Sequence, residues 1–147
     1  MLYAQIHLTL PAWVHESVDA AQAHASDADK VALAIELSRI NTEAATGGPF
    51  GAAIFEEATH RLIAPGVNVV VPQANPTAHA EIVAMGIAGS LLNRYNLGDD
   101  GARPAVLATS VEPCAMCLGI CDPHSPRYLR ATLPPSENPT RSQRTPG

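Results

Sequence analysis

No stretch of this chain approaches the ~20 uninterrupted apolar residues that a membrane helix needs, so a membrane-spanning role is not expected. The opening residues, 1–13, have neither a basic leader nor a small-residue cleavage site, which argues against secretion and for a cytoplasmic protein. Basic charge is scarce: residues 1–120 hold 12 acidic and only 5 basic side chains. Nucleic-acid affinity comes largely from Lys and Arg displacing counterions, so a nucleic-acid partner is not expected and small polar substrates remain open. Four arginines follow in residues 121–147 and read as solvated. Cysteine is scarce too. Cys114, Cys117 and Cys121 all fall within eight residues, and an odd, clustered set speaks for metal or redox chemistry rather than a disulfide framework. No internal repeat is visible.

What is present suffices for one ordinary domain: 147 residues and 15.4 kDa, 46% hydrophobic and 16% charged. Residues 1–25 read as an N-terminal extension with one short helical stretch, roughly Pro11 to Ala23, whose Trp13 and Val14 can dock on a neighbouring surface. The domain proper, 26–120, opens on a stronger helix. Ser26 is placed to cap it, Asp27 and Asp29 suit the positive end of its dipole, and Gly47-Gly48-Pro49 stops it. Phe50 to Phe55 reads as a buried strand and Arg61 to Val71 as a second, the two forming a hairpin. A helix is predicted from His79 to about Asn93, a third strand from Pro104 to Thr109, and another helix from Cys114 to Ile120 behind Pro113. Residues 121–147 carry 6 of the 13 prolines and read as a Pro-rich, disordered tail. The expectation is an α/β fold of about three strands, its last strand edge left open.

Two short motifs carry the chemistry: Thr77-Ala78-His79-Ala80-Glu81 and Glu112-Pro113-Cys114-Ala115-Met116-Cys117. Each lies where a loop or strand feeds the first turn of a predicted helix, and free N–H groups there favour the metal-binding thiolate. Cys114 and Cys117, three apart, point to one side and can clasp a single ion. With His79 as third ligand, zinc keeps one open position, as in catalytic rather than structural sites. Glu81 is near enough to reach a zinc-bound hydroxide and move its proton without ligating the metal. His-x-Glu alone is a weak signal, and Cys-x-x-Cys behind a strand also describes thiol redox sites. Both halves in order, 35 residues apart, match the H-x-E…P-C-x-x-C signature of zinc nucleobase deaminases.

The chain resembles the cytidine and deoxycytidylate deaminase superfamily, which implies a three-layer α/β/α sandwich with a catalytic zinc. Gly47-Gly48-Pro49-Phe50-Gly51-Ala52, Asn68, Asn75 to Ile82 and Thr109 to Gly119 are most similar to the guanine deaminase branch, and the likeness runs from about residue 27 to 120. It implies hydrolysis of a purine base, guanine going to xanthine and ammonia, with Glu81 as proton shuttle. It also implies that Asn68 hydrogen-bonds the purine ring and that the backbone near Ala78 helps hold it. The tRNA adenosine deaminases share the core motifs but usually begin the first strand with a valine-proline-valine-glycine type sequence. The family often dimerises, so a homodimer is the assembly the resemblance allows. After Cys117 the family's further strands and helix are not recognisable, and the chain resembles its first two-thirds joined to an unrelated tail, a truncated domain.

Other readings stand beside these. Cys121, one turn after Cys117, is placed to be a fourth ligand in a closed structural site. Asn68 is placed to cap a bulge near Gly66, and Phe50 either packs in the core or lines a pocket. Met85 and Met116 read as core, and His7, His15, His24, His60 and His124 as surface residues. Four functions remain open: a purine-base deaminase, a tRNA adenosine or other nucleoside deaminase, a zinc-binding but inactive remnant, and a thiol redox protein using Cys114 and Cys117.

Overall fold

Ser26 caps the first long helix as its position suggests. Its hydroxyl accepts the Asp29 N–H at 3.0 Å, and the Asp29 carboxylate accepts the Ser26 N–H at 3.1 Å, a reciprocal capping box. The computed structural model describes residues 5–98, 104–121 and 127–130. A short helix α1 (Ala12–Ser17) precedes the capped helix α2 (Asp27–Glu43). α1 stops well before Ala23 because Val18 turns extended and the Asp19 carboxylate takes the Ala21 N–H at 2.8 Å, a local bond that competes with the helix. Val14 is buried in the core, and the Trp13 indole N–H donates to Thr46 Oγ1 at 2.9 Å.

The sheet is built from β1 (Gly51–Glu56), β2 (Leu62–Val67), β3 (Ala105–Thr109) and β4 (Arg127–Arg130), in the order β2-β1-β3-β4. β1 pairs antiparallel with both β2 and β3, while β3 and β4 run parallel. Helix α3 (Ala80–Leu92) joins β2 to β3, and α4 (Ala115–Cys121) lies between β3 and β4, the crossover a parallel pair requires. Alternate residues of the central strands serve opposite faces. Ala53, Phe55 and Ala108 pack with Ala34 and Leu37 of α2, whereas Ala52, Ile54 and Leu107 pack with Ala84 and Ala88 of α3. Burial on both faces explains why β1 reads as a continuous apolar run, and it makes the fold a three-layer α/β/α sandwich. Among the described residues no helix is long and apolar enough to cross a membrane.

Three further expectations are corrected. The second strand ends at Val67, because the chain turns through 70–74 and its loop packs back, with Val69 N–H donating to Ala78 O at 3.1 Å. His24 is buried, its ring tilted against Phe55 at 5.2 Å between centroids, whereas His7 and His15 are exposed as expected. His124 lies outside the described residues. The third correction concerns residues 121–147. The sheet has a fourth strand, so the β3 edge is covered: Val106 to Thr109 pair with Arg127 to Arg130. The Arg127 guanidinium reaches the Asp27 carboxylate at 3.1 and 3.3 Å and Glu57 at 3.3 Å, and it holds the Asp27 carboxyl below its ordinary range. The pair is exposed and worth at most about 1 kcal/mol, so backbone pairing rather than charge carries the strand. Positions 122–126 and 131–147, where the rest of the disordered tail was expected, lie outside the described residues.

The sheet meets its helices most closely at two glycines. A Cβ on Gly51 would stand 2.2 Å from Ala34 O, and one on Gly66 would stand 2.2 Å from Ala80 O and 2.7 Å from Ala84 N. Backbone cannot yield as a side-chain tip does, so Gly66→Ala should cost about 3 kcal/mol, the upper end of what overpacking costs. Urea denaturation would read it, and an unchanged midpoint would show that β2 and α3 separate freely.

Candidate metal centre and active-site pocket

The loop before α3 is shaped by Asn75, whose carboxamide oxygen accepts the Thr77 N–H at 3.0 Å and the Thr77 hydroxyl at 2.8 Å, while its carbonyl accepts the Ala78 N–H at 3.1 Å. This turn delivers His79 to the N-cap of α3 in an extended conformation. The His79 side chain makes no capping bond, which leaves its ring for other work. Opposite it, β3 ends in Thr109, whose hydroxyl donates to Val111 O at 2.7 Å, and Ser110 ties back to β1 by accepting the Gly51 N–H at 3.0 Å. The chain then enters α4 through buried Pro113 and exposed Cys114, with Leu118 N–H donating to Cys114 O at 2.9 Å.

These two helix starts bring together His79, Cys114 and Cys117. His79 Nδ1 lies 3.7 Å from each sulfur, and the sulfurs lie 3.6 Å apart. Tetrahedral zinc, with bonds of about 2.3 Å to sulfur and about 2.0 Å to nitrogen, spaces its ligand atoms roughly 3.5–3.8 Å apart, so the triangle fits that ion. The two thiols differ. The Cys117 N–H, and less strongly that of Met116, points at the Cys114 sulfur and holds its thiol below the usual cysteine value. Burial pushes the Cys117 thiol far up, with the Glu81 carboxylate adding to the effect. A cation bound beside that sulfur would offset this and favour the thiolate. Cys121 is not part of the group: its sulfur sits in the core 3.8 Å from Met85 Sδ, which corrects the closed four-ligand reading. Met85 is core, as expected.

A cavity of about 130 Å³ opens beside the triangle, lined by Phe50, Asn68, His79, Glu81, Val111, Glu112 and Cys114. Glu81 lies buried in the first turn of α3, two residues from His79. Asn68 directly follows β2, and its N–H donates to Phe50 O at 3.1 Å. The bulge in that hairpin falls at Ile54/Phe55, so Asn68 does not cap one near Gly66. Phe50 is 40% exposed and belongs to the cavity wall rather than the core. Ala78 is brought close but not into the wall: it is buried, its N–H is given to Asn75 and its carbonyl accepts from Val69. Val111 and Glu112 join the wall with no sequence signal beyond the place of Glu112 at the head of the cysteine motif. Two larger cavities, of about 370 and 490 Å³, flank α3 among residues such as Met85, Ile87 and Leu91, and neither is lined by His, Cys, Asp or Glu among the described residues.

Residues 22–123 match the model of the cytidine and deoxycytidylate deaminase zinc-binding region. The chain belongs to this family. The domain is 43% identical to the guanine deaminase of Bacillus subtilis (strain 168) over 86 residues, 58% of this chain and 51% of that protein. It is 33% identical to the tRNA-specific adenosine deaminase of Haemophilus influenzae over 103 residues, 69% of this chain and 56% of that protein. The chain therefore spans about half the length of the curated relatives it matches. A solved structure of guanine deaminase from Nitrosomonas europaea superposes with a TM-score of 0.80 at 36% identity, covering 89% of this chain and 72% of that one. The α/β/α sandwich thus agrees with the fold of this solved structure, and His79, Cys114 and Cys117 lie within the stretch that matches the family's zinc-binding region.

Proposed function

We propose that this chain hydrolytically deaminates a free purine base, with guanine as the substrate. The observation that carries the reading is the meeting of Asn68, Phe50 and Glu81 in one small cavity against the His79–Cys114 edge of the metal triangle. Held by His79, Cys114 and Cys117, zinc would supply the Lewis acidity that activates water at neutral pH. Asn68 binds the ring edge and turns the amine-bearing carbon toward the triangle. Phe50 offers an apolar face to the planar ring. Glu81 takes a proton from the attacking water and gives it to the neighbouring ring nitrogen, then carries the second proton to the departing amine. A carbon–oxygen bond forms, the carbon–nitrogen bond to the amine breaks, and xanthine and ammonia leave.

The 12 acidic and 5 basic side chains of residues 1–120 favour a free base over tRNA. The exposure of Cys114 beside a buried Cys117 would also suit a thiol redox pair, but His79 Nδ1 lies as near to both sulfurs as they do to each other, which favours a shared metal. Ammonia release from guanine, adenine, cytosine and their nucleosides, beside inosine formation in tRNA, is the test. Guanine should lead. Inosine in tRNA with no turnover of any free base would overturn the assignment.

A further inference from the structure

Asn41, near the end of α2, is wholly buried and has its whole amide engaged. Its Nδ2 donates to the carbonyl oxygens of Gly48 at 2.9 Å and Asn68 at 3.0 Å, and its Oδ1 accepts from Thr46 Oγ1 at 2.8 Å. The surroundings dictate this orientation of the amide. Two carbonyls can be met only by a donor, and the Trp13 indole, 2.9 Å from Thr46 Oγ1, can only donate, which sends the hydroxyl's single proton to Asn41. The bonds run one way, from Trp13 through Thr46 and Asn41 to two carbonyls beside the cavity.

Those carbonyls sit on separate segments that both enter the pocket wall. Gly48 stands two residues before Phe50, whose own carbonyl accepts the Asn68 N–H at 3.1 Å. Asn68 is thus gripped at its N–H by Phe50 and at its carbonyl by Asn41. Gly47 packs so closely that a Cβ there would lie 1.8 Å from Asn68 O and 2.7 Å from Asn41 Nδ2. The geometry points to Asn41 as a positioning residue that sets the orientation of Asn68 and, through it, the affinity of the site for a purine ring. This rests on the purine-binding role proposed for Asn68.

The test uses zinc-loaded Glu81→Gln protein as host, so that radiolabelled guanine binds without turnover and equilibrium dialysis reads its affinity. In that host Asn68→Ala should weaken guanine binding about tenfold, the loss of one good hydrogen bond, and Asn41→Ala should do the same with zinc still at one per chain. Combined, they should be no weaker than Asn68→Ala alone within a factor of about two, because the positioning residue has nothing left to position. A merely structural role would give multiplying losses or none, and either would overturn the inference. Thr46→Val, which strips the bond from Asn41 Oδ1, should weaken binding about threefold, and not at all beside Asn68→Ala. If Asn41→Ala does not fold, this variant decides by the same criterion. A host that ignores guanine, or an Asn68→Ala form that binds as well as the host, would sink the purine reading and this inference with it. Against a working Asn68 baseline, failure at Asn41 and Thr46 would strike this inference alone.

Discussion

Glu81→Gln should remove deamination while leaving the zinc content at one per chain. Glu81 is 6% exposed, lines the cavity with Asn68 and Phe50, and stands outside the His79–Cys114–Cys117 triangle. Glutamine keeps the shape and one acceptor but cannot take up and return a proton. General acid–base groups are worth roughly 10²–10⁴-fold, and two proton transfers through one carboxylate place the loss at the upper end. Ammonia release from guanine, measured beside metal content, reads both halves. Activity surviving within a factor of a few would exclude the shuttle role, and loss of zinc would make Glu81 a ligand or a support of the site.

Cys117→Ser should cost more than activity. Its sulfur is fully buried, 3.6 Å from Cys114 and 3.7 Å from His79 Nδ1, so a hydroxyl there would remove one of only two soft donors. Zinc should fall from one equivalent to near zero. Stability should fall with it, because a metal that binds only the folded chain contributes about 4 kcal/mol at a thousand times its dissociation constant. Elemental analysis and thermal unfolding, with and without a chelator, check both effects. Wild-type protein that carries less than about a tenth of an equivalent, and forms a reversible Cys114–Cys117 disulfide instead, would return the pair to thiol redox chemistry.

The site was legible because its chemistry is local. His79 and Glu81 share one helix start and Cys114 and Cys117 another, so spacing pairs the residues within each motif, while the H-x-E…P-C-x-x-C signature joins the two. β1 and β3 were equally plain, since strands buried on both faces advertise themselves as apolar runs. What escaped depends on distant partners. β4 is four residues, Arg-Tyr-Leu-Arg, behind a proline, and only pairing with β3 makes it a strand. Val69 to Val71 has the β-branched content of a strand, yet the turn that carries the His79 loop overrides it. Asn41 gave no signal at all: an asparagine late in a helix looks like solvent-facing sequence until the segments around Gly48 and Asn68 fold over it.

The bond between Arg127 and Asp27 joins residues 100 positions apart, across nearly the whole described chain. A ribosome releases Asp27 long before Arg127, so Asp27 has only Lys30 of its own helix to pair with, and the β3 edge stays bare, until the last described strand emerges. His79, Cys114 and Cys117 all leave before it. Order of synthesis therefore lets the metal donors assemble on an unfinished sheet, and a captured ion would pin α3 to the end of β3 while the closing strand is still being made. The interval when that edge is bare is the moment at which the newborn chain is most exposed to pairing with a neighbour.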